Sequence, residues 1–434
     1  MNRFAIVNGT FITMDPEQPA VMEGTMFVEG NRIRRLLPGR AEASVLEGWE
    51  ILDGRHRLYM PGFVNTHGHV AMSLLRGYAD DVALQVWLEE NMWPNEAKFT
   101  AADVRAGAML SIAEMLKGGT TCFVDMYDHM DEVAKAAAES GIRACLTRGM
   151  IGLGPEEERK AKLAEARSFA EHWHGEAEGR ITAMMSPHAP YTCPPDFIRA
   201  VVEAANELNL PIHTHMSETA KEVEDNVRQY GVRPPQHLLN LGVFSRPCLV
   251  AHAVHLTDEE IAMLAEHDVR VSHNPGSNLK LASGIARVPE MLKAGVKVSL
   301  GTDSSASNNN LDMLEEIRLA ALLHKGATGD PTAVPAMEAL RMGTAAGAES
   351  IWLDDVGMLK PGMKADFIAL DIDQPHFFPR TDLVSHVVYA ASSRDVTDVW
   401  VDGRQLVKNG ELTTVDEERV KAEFVSCYNR LMFG

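Results

Sequence analysis

Short apolar or β-branched runs alternate with amphipathic segments from about residue 58 to residue 350. A short apolar run bounded by polar residues is typical of a buried strand, and a longer segment with one apolar stripe is typical of a helix. The pattern predicts eight strands, at residues 59–66, 120–126, 143–148, 181–186, 211–215, 248–252, 269–272 and 296–300. Helices are predicted between them, including residues 101–116, 156–172, 196–208, 258–265 and 311–323. This alternation predicts parallel strands joined by helical crossovers, and therefore an α/β protein.

The two ends of the chain have a different pattern, with short alternating pieces separated by Gly and Pro. These pieces are residues 4–7, 25–28, 32–36, 366–370 and 396–402. They predict antiparallel β structure, and neither end is long enough to form a comfortable core alone. We therefore expect residues 1–57 and 360–415 to form one composite β-sandwich, followed by a C-terminal helix at 416–434.

Histidines and one aspartate lie at the ends of several of the predicted strands. His67 and His69 end the first strand, and residues two apart in an extended chain point to the same side. His215 and His252 end the fifth and sixth strands, and Asp303 follows the eighth. These side chains meet on one rim only if the sheet closes, which favours a TIM-like (β/α)8 barrel over residues 58–359. An open doubly wound sheet remains the alternative on pattern alone.

Imidazoles and a carboxylate are the ligands of borderline divalent metals, so the sequence predicts a metal site on this rim. Zn²⁺ is the first expectation, and Fe²⁺ and Mn²⁺ remain alternatives because His and Asp serve all three ions.

Composition and charge narrow the class of protein. The 434 residues carry 45% hydrophobic side chains, enough for a large core, and a formal net charge of −20. That charge argues against nucleic acid and anionic membranes as partners. The five cysteines are scattered and never spaced Cys-x-x-Cys, so we expect reduced thiols and a cytoplasmic protein. The N-terminal sequence does not predict a signal peptide, and no run predicts a membrane span.

Four segments resemble motifs of the amidohydrolase superfamily, in its branch of one-metal deaminases of aromatic rings. They are residues 65–69 (Asn-Thr-His-Gly-His), 213–218 (His-Thr-His-Met-Ser-Glu), 272–275 (Ser-His-Asn-Pro) and 301–304 (Gly-Thr-Asp-Ser). The resemblance covers essentially the whole chain and implies the same barrel and split sandwich.

The resemblance implies one divalent metal ion held by four side chains. These ligands are His67, His69, His215 and Asp303. Relatives with two metals carry a carboxylated lysine on the fourth strand, and residues 181–188 contain no lysine. His213 is expected to lie behind the ligands as a hydrogen-bond partner.

The activity implied is hydrolytic deamination of the adenine ring of 5-methylthioadenosine and S-adenosylhomocysteine, with adenosine as a further candidate substrate. Metal hydroxide would attack C6 and give the inosine analogue and ammonia. Glu218, His252 and Asp303 are the expected catalytic residues. A carboxyl group beside a buried purine can move protons, although Glu218 could also be an ordinary first-turn acid of the helix that follows it.

Substrate contacts are expected from Glu96, Arg148 and His188, together with Glu218 and Asp303. The resemblance implies that Glu96 holds the ribose hydroxyls and that His188 lies near the nucleoside. It also implies that Arg148 pairs with the amino acid carboxylate of S-adenosylhomocysteine. The alternatives are a solvated surface acid for Glu96 and an ion pair at the rim for Arg148.

Two other functions stay open. A deaminase or hydrolytic dechlorinase of guanine, cytosine or a triazine would use the same metal and acid, but it would have no ribose or carboxylate for Glu96 and Arg148 to bind. A non-catalytic metal-binding scaffold would have no use for Glu218 and His252. Zinc nucleoside deaminases of the Pro-Cys-x-x-Cys type are excluded, because the chain lacks that motif. The expected partner is therefore a small nucleoside, and a homo-oligomer is left open.

Overall fold

A computed structural model describes residues 3–433 of the chain. The strands of this part are, in chain order, β1 (Arg3–Phe11), β2 (Met22–Glu29), β3 (Arg32–Pro38), β4 (Glu50–Asp53), β5 (Arg57–Pro61), β6 (Phe63–Asn65), β7 (Thr120–Tyr127), β8 (Arg143–Met150), β9 (Ile181–Ala183), β10 (Ser186–Pro187), β11 (Ile212–Met216), β12 (Cys248–His252), β13 (Arg270–His273), β14 (Val298–Leu300), β15 (Phe367–Asp371), β16 (Val396–Val401), β17 (Arg404–Lys408) and β18 (Glu411–Leu412).

The α-helices of the same residues are α1 (Ala43–Leu46), α2 (Leu84–Val86), α3 (Trp93–Glu96), α4 (Ala101–Lys117), α5 (Met130–Ser140), α6 (Glu156–Trp173), α7 (Glu176–Gly179), α8 (Pro195–Leu208), α9 (Ala220–Tyr230), α10 (Pro234–Asn240), α11 (Asp258–Glu266), α12 (Pro275–Lys280), α13 (Val288–Lys293), α14 (Met313–Thr328), α15 (Ala336–Met342), α16 (Ala345–Ser350), α17 (Leu383–Tyr389) and α18 (Glu417–Phe433). One turn of π-helix, Trp87–Met92, joins α2 to α3.

The two ends of the chain share one sheet, in the strand order β18-β17-β16-β15-β5-β1-β2-β3 with β4 beside β1. The antiparallel pair β5 and β15 joins the N-terminal part to the C-terminal part. The sequence predicts a purely antiparallel sheet, and this prediction is wrong. The sheet is mixed, because β1 runs parallel to β4 and β5. The longer connections through β2, β3 and α1 allow that parallel pairing.

Alternation along β5 gives this sheet two apolar faces. Leu58 and Met60 pack with Ile368 in the large core shared with the parallel strands. Tyr59 points the other way and packs near Trp400, with ring centroids 6.4 Å apart. The period of two residues in a strand therefore explains why β5 is apolar at every position from Leu58 to Pro61.

Nine central strand segments of the described residues, β6 to β14, are parallel, and helices join most of them. β6, β7 and β8 pair in order, and β9 and β10 both lie beside β8. β11, β12, β13 and β14 form a second parallel set. Met185 bridges to Ile212 at one junction of the two sets, and the Thr66 N–H donates to the Leu300 carbonyl at 3.0 Å at the other.

The single strand predicted at residues 59–66 is wrong, because this run forms β5 and β6 in two different sheets. Gly62 separates them, and a Cβ atom at this position would lie 2.1 Å from Cγ2 of Thr121. The chain therefore passes between the sheets where only glycine fits. Both strands are buried, so hydrophobicity alone does not reveal the break.

A buried ion cluster joins the mixed sheet to the parallel strands. Arg143, at the start of β8, lies 2.8 Å from Asp366 and 2.9 Å from Asp402. The C-terminal helix α18 packs along α4, with a 2.7 Å ion pair between Glu417 and Lys117. Within residues 3–433, none of the helices combines the length and apolar character needed to cross a bilayer.

Candidate active site

The carboxyl ends of the parallel strands bring imidazoles and a carboxylate together. Asp303 Oδ1 lies 3.5 Å from His67 Nε2 and 3.3 Å from His69 Nε2. One possible ligand atom from each of His67, His69 and Asp303 lies within 4.8 Å of the others, and the same holds for His67, His215 and His252. Residues from β11, from β12 and from the segments that follow β6 and β14 thus meet at one point.

The hydrogen bonds of His67 define which of its nitrogens faces the cluster. His213 Nδ1 lies 3.0 Å from the Leu249 carbonyl, which can only accept, so His213 carries its proton there. His213 Nε2 then accepts from His67 Nδ1 at 2.9 Å. His67 Nε2 is left with a lone pair, and it is a buried atom without a hydrogen-bond partner among the described residues. This nitrogen is therefore free to bind a metal ion.

His69 and His215 are held in the same way. His69 Nδ1 donates to the Met126 carbonyl at 2.6 Å, and His215 Nδ1 donates to the His188 carbonyl at 2.7 Å. Burial lowers the pKa of His215 well below its ordinary value, which favours the neutral, ligating form. Burial also acts to lower the pKa of His69, but Asp303 outweighs it and raises that pKa to about 9. Metal binding at His69 would therefore displace a proton.

Asp303 is held by hydroxyl groups of residues that are not among the predicted site residues. Its Oδ2 accepts from Ser277 at 2.6 Å and from Ser307 at 3.0 Å, and its Oδ1 accepts the Ser304 N–H at 2.8 Å. Burial acts to raise the pKa of Asp303, but His69 and the Ser277 hydroxyl hold it well below its ordinary value. The carboxylate is therefore ionised, as a ligand must be. Three neutral imidazoles and this carboxylate fit a divalent metal ion.

His252 turns one nitrogen toward the same cavity. Its Nδ1 lies 2.8 Å from the Asn278 side-chain oxygen, so Nδ1 carries the proton and Nε2 carries the lone pair. His252 Nε2 lies 3.8 Å from Glu218 Oε2. The residue has a positive φ of 74°, in the left-handed region that non-glycine residues rarely adopt. Such strain is typical of functional sites.

Glu218 is buried, with 4% of its surface exposed, and lines the cavity. It precedes Thr219, the N-cap of α9, so it is not a first-turn residue of that helix. Burial raises the pKa of its carboxyl group. The raised pKa of Glu218 and the lone pair on His252 Nε2 suit two groups that accept and return protons.

These groups line a cavity of about 430 Å³. His69, His215, His252, Glu218 and Asp303 form part of its wall, and the other predicted site residues Glu96, Arg148 and His188 also line it. Trp87, Trp93, Leu84 and Met72 supply apolar surface. Among the predicted ligands only His67, which is fully buried, is not part of the cavity wall.

Glu96 has a partner that the sequence did not reveal. The Tyr127 hydroxyl, at the end of β7, donates to Glu96 Oε1 at 2.5 Å. Burial raises the pKa of Glu96. Glu96 is therefore a cavity residue and not a solvated surface acid.

Arg148 lines the cavity and is also part of an ion cluster at its rim. Its guanidinium lies 3.0 Å from Asp128 and 3.1 Å from Glu165, and both acids are about half exposed. His188 Nδ1 lies 2.9 Å from the Thr192 hydroxyl, and its ring lies 4.6 Å from that of His215. Arg148 thus combines the two environments that the sequence left as alternatives.

The chain is similar to proteins of known family. The sequence profile of the Amidohydrolase family matches residues 58–406. 5-Methylthioadenosine/S-adenosylhomocysteine deaminase of Dictyoglomus thermophilum is 54% identical over 86% of this chain and 87% of its own. The protein of the same name from Pelotomaculum thermopropionicum is 49% identical over 98% of this chain and 97% of its own. The crystal structure of a zinc-bound adenosine deaminase from Xanthomonas campestris has a TM-score of 0.92 and 34% identity, covering 99% of this chain and 98% of that one. This chain belongs to the amidohydrolase family.

Proposed function

We propose that this protein is a metal-dependent aminohydrolase that removes the 6-amino group of 5-methylthioadenosine and S-adenosylhomocysteine. The products are ammonia and the corresponding inosine analogue. The relatives that share about half of its residues carry this name. The observation that carries the proposal is the meeting of Glu218 and His252 with His69, His215 and Asp303 in the wall of one cavity, with His67 in the same cluster. A storage site for metal would have no use for those two groups.

Four side chains would hold the metal ion, namely His67, His69, His215 and Asp303. We propose Zn²⁺, because it is bound in the similar Xanthomonas campestris deaminase and because neutral imidazoles with one carboxylate suit it. When bound, the ion lowers the pKa of a water molecule and makes a nucleophile available near neutral pH.

The surrounding side chains move the protons. Glu218 takes one proton from the attacking water and passes it to N1 of the adenine ring, next to C6. His252 Nε2 and Asp303 accept the second water proton, which leaves with the amino nitrogen as ammonia. Water thus supplies both protons, so the ring gains an oxygen at C6 and the enzyme returns to its starting state. The lone pair of His252 is available for this step because Asn278 holds the proton on Nδ1.

Recognition of the nucleoside depends on the outer part of the cavity. Glu96 accepts hydrogen bonds from the ribose hydroxyls, and the Tyr127 hydroxyl keeps its carboxylate in place. His188, whose ring lies 4.6 Å from that of His215, contacts the nucleoside. Arg148 pairs with the carboxylate of S-adenosylhomocysteine in exchange for part of its contact with Asp128 and Glu165.

We extend the proposal to the fold and to the cellular location of the protein. The parallel strands form a TIM-like (β/α)8 barrel, supported by the hydrogen bonds that link β10 to β11 and β14 to β6. The mixed sheet forms the composite β-sandwich, and its first boundary moves from residue 57 to Gly62 because β5 pairs with β15. Each of the five cysteines is a free thiol, which supports a cytoplasmic protein.

Ammonia release from a panel of compounds tests this function. Protein of measured metal content would be given 5-methylthioadenosine, S-adenosylhomocysteine, adenosine, free adenine, guanine, cytosine and a triazine. We expect release from the adenine nucleosides and far less from the free bases and the triazine, because only the nucleosides have a ribose for Glu96 to bind. Faster release from a free base or a triazine would contradict the proposed substrates, and no release from any compound would contradict the proposed activity.

A further inference from the structure

Glu222 is a buried carboxylate that stands one helical turn from the proposed proton carrier. It is 3% exposed and belongs to α9. Its Oε1 accepts the N–H of Ser217 at 2.8 Å, and its Oε2 accepts the N–H of Glu218 at 2.7 Å. Both oxygens of one side chain thus hold two successive peptide groups, one of which belongs to Glu218.

This arrangement departs from the usual N-terminal cap. In a capping box, the acid at the third helical position accepts the N–H of the N-cap residue. The N-cap Thr219 does accept the N–H of Glu222 at 3.1 Å, but the Glu222 carboxylate reaches past Thr219 to the two residues before it. Glu260 of α11 shows the ordinary form, since its carboxylate accepts the N–H of its own N-cap, Thr257, at 2.8 Å.

The peptide before Glu218 is also held from the other side. The Ser217 carbonyl accepts the N–H groups of Val254 and His255, each at 3.0 Å. Ser217 itself has a positive φ of 53°, a conformation that its neighbours must maintain. The backbone of Glu218 is therefore fixed between α9 and the segment that follows His252.

We propose that Glu222 is a positioning residue, which sets the place of the Glu218 carboxyl group through two backbone hydrogen bonds. The inference rests on the proposed deaminase function. Glu222 does not line the cavity of the candidate active site, so it is not proposed to touch the substrate. Replacement of Glu222 by Gln would put an amide NH₂ against one of the two N–H donors, so that bond would be lost and the loop would shift. A small displacement of a proton carrier is enough to slow a reaction about 100-fold.

The test is a double-mutant cycle on kcat with 5-methylthioadenosine, using Glu222→Gln, Glu218→Gln and the double variant. We expect Glu222→Gln to lower kcat about 100-fold in the wild-type background and less than about threefold when Glu218 is already Gln. KM and bound metal should stay near the wild-type values. Loss of folded protein would lower the rate by the same factor in both backgrounds, and that result would overturn the proposal.

Glu260→Gln is the matched control, because it changes the same helical position of another buried cap. It should leave kcat within about twofold of the wild-type value, as a change outside a functional site does. Glu222→Gln with full activity would overturn the positioning role alone, whereas an inactive wild-type protein would overturn the deaminase function itself. If Glu222→Gln does not fold, Glu222→Asp replaces it in the cycle, since it keeps the charge but is too short to reach both N–H groups.

Discussion

His67 Nδ1 and His213 Nε2 lie 2.9 Å apart in the buried centre of the site, and this contact determines which nitrogen of His67 can bind a metal. The proton of His213 is held at the Leu249 carbonyl, so the direction of the hydrogen bond is fixed. The orientation of one proposed ligand therefore depends on a histidine outside the proposed ligand set.

Replacement of His213 by Leu should weaken metal binding about 10- to 100-fold, because His67 loses the group that holds its ring and its tautomer. Equilibrium dialysis against a zinc chelator would measure the affinity. His237→Leu is the control. His237 lies in α10, is buried, and stacks on Tyr230 of α9 away from the cluster. Equal zinc affinity in the His213 variant and the wild-type protein would contradict this role.

The raised pKa of Glu96 predicts a pH-dependent KM. The carboxylate must be ionised to accept both ribose hydroxyls, and a raised pKa means that the ionised form is lost at a higher pH than for an ordinary glutamate. KM for 5-methylthioadenosine should therefore rise as the pH falls through that pKa. Glu96→Gln should have a higher KM that no longer changes with pH over this range. Steady-state kinetics between about pH 5 and 8 would check this, and an unchanged acid-side slope in Glu96→Gln would assign the effect to another group.

Replacement of Arg148 by Met should act on one substrate class. Charge-assisted hydrogen bonds to a carboxylate contribute about 1.5–3 kcal/mol, and competition from Asp128 and Glu165 places this case at the lower end. We expect kcat/KM for S-adenosylhomocysteine to fall about 10-fold, with little change for 5-methylthioadenosine, which has no carboxylate. Arg167→Met, which breaks a pair between α6 and α8 away from the cavity wall, should change kcat/KM for neither substrate. An equal fall in kcat/KM for both substrates in the Arg148 variant would contradict the proposed contact between Arg148 and the carboxylate.

The Arg143 cluster should matter for stability and not for chemistry. Arg143→Met leaves Asp366 buried without its cation and leaves Asp402 with Lys364 alone, and breaking a buried pair of this kind costs about 3–5 kcal/mol. Chemical denaturation should show this loss, while kcat of the folded protein stays close to the wild-type value. Arg419→Met removes an exposed pair with Glu423 and should leave the free energy of unfolding nearly unchanged. A similar small effect in both variants would show that the buried cluster contributes nothing to stability.

Much of the fold and the clustering of the candidate ligands could be predicted because their signals are local. The alternation of apolar runs and amphipathic segments predicts β12 at its observed bounds, and it predicts α4, α6, α8 and α11 to within one residue at each end. The histidine pair at residues 67 and 69 and the carboxylate at 303 follow strands, so parallel pairing brings them together. These features depend on residue spacing within one segment and on the common direction of the strands.

The contacts that could not be predicted join distant segments through ordinary residues. Ser277 and Ser307 hold Asp303, and Tyr127 holds Glu96, but serine and tyrosine have no spacing that marks such a role. The passage of the chain from β5 to β6 depends on close contact between Gly62 and Thr121, which two buried apolar strands conceal. Tertiary packing determines these features, and a single sequence does not display it.

The most direct test of the central claim is the rate of ammonia release from 5-methylthioadenosine by the wild-type protein and by Glu218→Gln, with bound zinc measured in both. The account predicts equal zinc content and a fall in kcat of about 10²- to 10⁴-fold, because Glu218 moves protons and does not hold the ion. A Glu218→Gln protein that keeps its zinc and most of its kcat would contradict the account.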